Sequence, residues 1–157
     1  MDKARASHLF ESGRSHALAA DLLYRSALAE GVANGVKDPA DYAFNGSYSL
    51  STFYLLGLGL ELMLKAAIVA HDGPSDERSM REIGHDLVIA LDRAETAGFH
   101  SNAPRLRDLV EVMNEPFKLH WFRYARPANM PLPGDFNQVV ETLQCLDEEL
   151  QAILWGE

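Results

Sequence analysis

Residues 50 to 71, Leu50-Ser-Thr-Phe-Tyr-Leu-Leu-Gly-Leu-Gly-Leu-Glu-Leu-Met-Leu-Lys-Ala-Ala-Ile-Val-Ala-His71, form the longest apolar run of the chain, and any fold has to bury it. Its apolar residues surround the helix axis instead of keeping to one stripe, the pattern of a helix with neighbours on every side. Gly57 and Gly59 lower helix propensity by roughly 1 kcal/mol each, so a second backbone is expected to approach closely there. About 20 apolar residues would also cross a bilayer. Glu61 and Lys65 argue against that reading, because an ionisable residue near the centre of a membrane helix costs roughly 2.5–3.5 kcal/mol. A core helix of a soluble domain is expected.

The 157 residues suit one domain with a real core. Cys145 is the single cysteine, so no internal disulfide forms. The charged start lacks the apolar stretch of a signal peptide, and a cytoplasmic location is expected. Net charge is −9, from 23 acidic and 14 basic residues, which repels phosphate backbones overall. The charge is uneven: residues 105 to 134 carry five Lys or Arg against three acids, whereas residues 135 to 157 carry six acids and no base. A polyanion, if bound at all, would meet the region from Arg105 to Arg126. Nucleic acid is not the expected partner.

Before the central run, residues 2 to 30 repeat small or apolar residues with a helical period (Ala6, Leu9, Gly13, Ala17, Ala20, Leu23 or Tyr24, Ala27), predicting a long first helix ended by Gly31, Asn34 and Gly35. Asp38-Pro39 predicts a short helix through Tyr42, and Ser47, Ser49 or Ser51 is expected to cap the central helix. Residues 72 to 84 read as a polar connection with a Gly-Pro break. Leu87, Ala90, Leu91, Ala94 and Ala97 share one face of an amphipathic helix closed by Gly98. A further helix is capped by Ser101 or Asn102 and runs to Pro116. The segment from Phe117 to Pro133 loses periodicity and concentrates aromatic and basic residues, the composition of a packed loop. Pro133-Gly-Asp135 then opens a last helix with a continuous apolar stripe from Phe136 to Leu154. With no strand pattern, the class is all-α.

Two strings on these helices belong together: Gly57-Leu-Gly-Leu-Glu-Leu-Met-Leu-Lys-Ala66 on the central helix and Gly84-His-Asp-Leu87 opening the next. With Arg123-Tyr124 before the final helix, the chain resembles the HEPN superfamily, whose bacterial members carry a Leu-Glu-x-x-Leu-Lys helix, a Gly-His-x-Leu helix start and an Arg-Tyr pair. The resemblance implies an up-and-down bundle of four to five helices and a homodimer. It also implies a role in toxin–antitoxin, phage-defence or RNA-processing systems, with a nucleotidyltransferase or antitoxin as protein partner and no cofactor. Catalytic relatives are metal-independent ribonucleases that use an Arg and a His with four to six residues between them, near the start of a late helix. Here Arg78 and His85 are the matching pair, with Ser79 after the Arg. Their place before the third long element departs from that pattern, and residues 136 to 157 hold no Arg or His.

The remaining constellations are weighed on their own chemistry. A buried carboxylate must find partners or become protonated, so Glu61 and Lys65 are expected to form a buried polar cluster with His85, Arg123 and Tyr124, structural or ligand-binding. His85-Asp86 reads as a helix cap followed by a first-turn acid, or as a site histidine. His71-Asp72 and His85-Asp86 resemble the dipeptides of His-Asp metal phosphohydrolases, but Gly73-Pro74 breaks the first frame. Glu82-x-x-His85 has di-iron spacing, yet Gly84 interrupts it and no second pair exists. No metal is expected. The aromatic-basic stretch from Phe117 to Arg126 either packs inward with its charges reaching out or stacks on bases. The reading this leaves is an interaction or ligand-binding module, with a ribonuclease using Arg78 and His85 as the alternative.

Overall fold

The structure is a computed structural model and describes residues 1–124 and 131–156. Among them there are seven helices and no strand, so the protein is all-α. Arg126 lies outside the described residues. Helix α1 spans Lys3–Ala33, with Asp2 accepting from the Arg5 amide at 3.1 Å. Gly31 does not end it; it is buried inside the last turn, and the reversal falls on Gly35 at φ 65°. Helix α2, Pro39–Asn45, is capped by Asp38 as its sequence predicts.

The apolar run becomes α3, Ser49–Ala70, and sixteen of its residues are buried. Its N-cap is Tyr48 without a side-chain bond, and none of the expected serines serves. The chain arrives through a turn in which the Ser49 amide donates to Gly46 O at 3.1 Å, leaving Ser49 buried. Helix α1 lies along α3, where Gly13 and Gly59 face each other. A methyl group on Gly59 would stand 3.0 Å from both Ala17 N and Gly13 O, so the backbones meet there as expected. At Gly57 the neighbour is instead an aromatic face: an added methyl would overlap the Phe117 ring.

The stretch after α3 holds a helix where a polar connection was expected: α4, Glu77–Ile83. Asp76 caps it through the Ser79 amide at 2.9 Å, and Met80 and Ile83 hold it on the core. Helix α5, Leu87–Ala97, buries Leu87, Ala90, Leu91 and Ala94 and ends on Gly98 at φ 107°. Helix α6, Leu106–Lys118, starts later than expected because Ser101 and the Asn102 amide bond Glu149 rather than the helix end. Pro116 does not stop α6; it sits one turn from the end, where it removes a single i→i−4 bond. Helix α7, Phe136–Trp155, packs on the core through Val139, Leu143, Leu146, Leu150 and Leu154. Its Phe136 stacks on Tyr24 of α1 at 4.0 Å.

By length and composition α3 could cross a membrane, yet 78% of its apolar window is buried against the other helices. What matters for the site is where α3 stops being apolar. Glu61 and Lys65 face the junction between α4 and α5, and α6 ends beside it.

Candidate functional site

Glu61 and Lys65 are one turn apart on α3 and almost wholly inside the protein, 4% and 7% exposed. Lys65 Nζ donates to Glu61 Oε1 at 2.6 Å and to Gly84 O at 3.0 Å. The other carboxylate oxygen, Oε2, lies 2.8 Å from His85 Nδ1. A carboxylate engaged by a buried ammonium can only accept, so Nδ1 carries the hydrogen of this bond, and in a neutral imidazole the lone pair is then on Nε2. The His85 side chain is 45% exposed. The two motifs of the sequence thus meet in space: a charge pair inside α3 anchors the Gly84-His85 turn and holds one imidazole nitrogen toward solvent.

Next to His85 the cap of α5 is Asp86, which accepts from the Ile89 amide at 3.0 Å. His85 is therefore not the cap; its ring has turned to Glu61. Asp86 also takes Lys118 of α6 as an ion-pair partner, and Asn114, one turn earlier on α6, accepts from the Leu87 amide at 2.8 Å. Sequence reasoning missed both partners, although their i,i+4 spacing sets them on one face of α6. Burial acts to raise the Asp86 carboxyl, but Lys118, the Ile89 amide and Asn114 together outweigh it and hold the carboxyl below the usual range. A carboxyl lower in the folded than in the unfolded state stabilises above about pH 4 and loses that contribution as pH falls through its depressed value. Asp86→Asn keeps a capping side chain and removes the charge. It is expected to lose up to about 1 kcal/mol at neutral pH, a difference that shrinks toward zero in thermal melts run well below pH 4. A difference independent of pH would contradict the assignment.

On the outer side of His85 the residues are aromatic and basic. The His85 ring meets Phe117 edge-on at 5.6 Å and His120 at 5.1 Å, and His120 meets Tyr124 at 6.1 Å. Phe117 and Phe122 are buried, whereas Tyr124 is 76% exposed. Arg123 was expected on Glu61; among the described contacts its guanidinium instead lies over the Tyr54 ring at 5.4 Å and the Tyr124 ring at 5.0 Å. Cation–π contact with two rings is a better place for a planar guanidinium than a carboxylate already held by Lys65 and His85. Arg123 and Tyr124 thus flank the cluster and reach it through His120.

The remaining candidates scatter. Arg78 is on the outer face of α4, its side chain 89% exposed and 3.3 Å from Glu82. His85 faces the other way, onto Glu61. Glu82 pairs with Arg78 and Arg93 rather than joining His85. The His71 ring bonds Ala67 O and packs on Phe99. No three His, Cys, Asp or Glu side chains gather as a metal site among the described residues. A groove of about 250 Å³ between α1, α3 and α7, lined by Arg14, Leu18, Met63, Leu143 and Asp147 among others, shares no residue with the cluster. No family model matches the chain, and neither a curated protein nor a solved structure shows significant similarity to it.

Proposed function

We propose that this chain is a HEPN-like bundle acting as a non-catalytic interaction or ligand-binding module in a bacterial toxin–antitoxin or phage-defence system. It works as a cytoplasmic homodimer with a nucleotidyltransferase or antitoxin as partner. Five longer helices, α1, α3, α5, α6 and α7, make the bundle in this reading, and α2 and α4 are connectors. The observation that carries it is the joining of the Leu-Glu-x-x-Leu-Lys helix to the Gly-His-x-Leu turn by the Glu61–His85 and Lys65–Gly84 bonds. Around that joint Tyr54, His120, Arg123 and Tyr124 offer a partly exposed aromatic and cationic face.

A ribonuclease using Arg78 and His85 is the second reading, favoured by the carboxylate behind His85, which is how a general base is oriented. Arg78 weighs against it, since a phosphate clamp has to face the reacting atoms and Arg78 is turned to solvent and Glu82. The test is incubation of the purified chain with structured and single-stranded RNA in the presence of chelator. Intact RNA and weak binding are expected. Cleavage by the wild type that both His85→Ala and Arg78→Ala abolish, with folding retained, would replace the first reading by the second. Binding without cleavage that is lost on replacing Arg123 and Arg126 would assign RNA contact to the aromatic-basic stretch.

A further inference from the structure

We propose that the outer face of α1 is the surface through which two copies of this chain pair, with the two α1 helices antiparallel about a two-fold axis beside Leu18. The proposal rests on the homodimer reading above and names its interface.

Helix α1 packs its small residues on α3, with Ala6, Gly13, Ala17 and Ala20 buried. Its other side carries apolar residues that the fold leaves outside: Leu18, Leu22 and Val32 are 57%, 66% and 63% exposed. They lie on one line. Ser15, Leu18, Leu22, Arg25, Ala29 and Val32 follow one another at alternating steps of three and four residues, the spacing that keeps a seam facing a second helix. A single exposed leucine is ordinary on a protein surface, whereas a continuous apolar stripe marks a contact. The groove between α1 and α7 adjoins the stripe at Leu18 and extends its apolar surface to Met63 and Leu143. The helix is 31 residues long, or about 46 Å, enough for a stable interface of roughly 800 Å² on each partner.

Charge selects the occupant and its direction. Residues 2 to 30 hold four acidic and four basic residues, so the whole net charge of −9 lies in the rest of the chain. Two copies that approach through α1 therefore meet on a face without net charge. Parallel helices would set Glu11, Arg14 and Arg25 each against its own copy, like charge on like. Antiparallel helices centred on Leu18 set Glu11 beside Arg25 of the second copy and Arg14 beside Asp21 of the second copy, each contact made twice by symmetry. Leu18 then meets its own copy, and Leu22 lies along the methylene stem of Arg14 of the second copy. Within the chain Glu11 makes no ion pair among the described residues. The Arg25 side chain is 65% exposed and holds only Asp21 of its own helix, so its outer side is open to Glu11 of the second copy.

The test is sedimentation velocity of the full chain over a range of concentrations. A dimer is expected for the wild type. Leu18→Glu/Leu22→Glu changes two exposed positions, so the helical circular dichroism spectrum is retained while the dissociation constant rises by about 100-fold, tenfold for each anchor lost. Ile89→Glu, on an exposed apolar residue of α5, sediments as the wild type. Glu11→Arg and Arg25→Glu each weaken the dimer by placing like charges together. Mixed in equal amounts they pair again, because each brings the charge that the other lacks. A dimer that persists in Leu18→Glu/Leu22→Glu, a dimer lost in Ile89→Glu, or a charge-reversed mixture that stays apart would overturn the proposal and leave the homodimer reading standing. A wild type that stays monomeric would remove both.

Discussion

Lys65→Met is expected to lower the unfolding free energy by about 3–5 kcal/mol, the usual scale for removing one partner of a buried ion pair. The substitution is close in volume and apolar, so packing is retained and the loss is electrostatic. It strips the ammonium from Glu61, which is 4% exposed, and leaves Gly84 O without its 3.0 Å donor. Urea unfolding measures it. The double variant Glu61→Gln/Lys65→Met should recover part of the loss, because a neutral amide no longer demands a counter-charge; an interaction energy of roughly 0.5–3 kcal/mol is expected between the two changes. Strict additivity would show that the pair is not coupled.

Gly13→Ala reverses the sign that helix propensity alone would give. In an open helix the change gains roughly 1 kcal/mol. Here the new methyl would stand 2.9 Å from Gly59 O and from Met63 N, backbone atoms of α3 that cannot swing aside. A net loss of about 1–3 kcal/mol is expected, and Gly13→Leu, which forces the helices apart, should exceed it. Gly134→Ala, with nothing within 4 Å of the added methyl, is the control and should be near neutral. A stabilised Gly13→Ala would mean that α1 and α3 do not meet through these glycines.

Long-period apolar patterning was legible. The runs that became α1, α3, α5 and α7 repeat over three turns or more, and the caps Asp38 and Asp135 and the stop at Gly98 follow local chemistry that needs no tertiary context. Less legible were elements whose fate depends on neighbours elsewhere in the chain. Helix α4 has few apolar residues and follows a Gly-Pro break, yet Asp76 with Ser79 is a cap signal that could have found it. Ser101 and Asn102 have the right chemistry for a cap, but Glu149, distant in sequence, claims them. At the site, the burial of Glu61 and Lys65 and the pairing with His85 followed from the cost of an unpaired charge. Arg123 went elsewhere because two tyrosines offered it a face, and no spacing rule announces that. His120 gave no signal at all: a left-handed histidine at a helix end is visible only in the backbone angles.

The central claim is that a buried carboxylate fixes His85 and turns its Nε2 outward. The most direct measurement is a long-range proton–nitrogen correlation spectrum of the imidazoles at alkaline pH, where histidines are neutral, with His85→Ala to assign the signals. The account predicts that His85 is held as the Nδ1–H tautomer with an unprotonated Nε2, and that Glu61→Gln weakens this preference. An Nε2–H tautomer, or the averaged pattern of a free imidazole unchanged by Glu61→Gln, would contradict it.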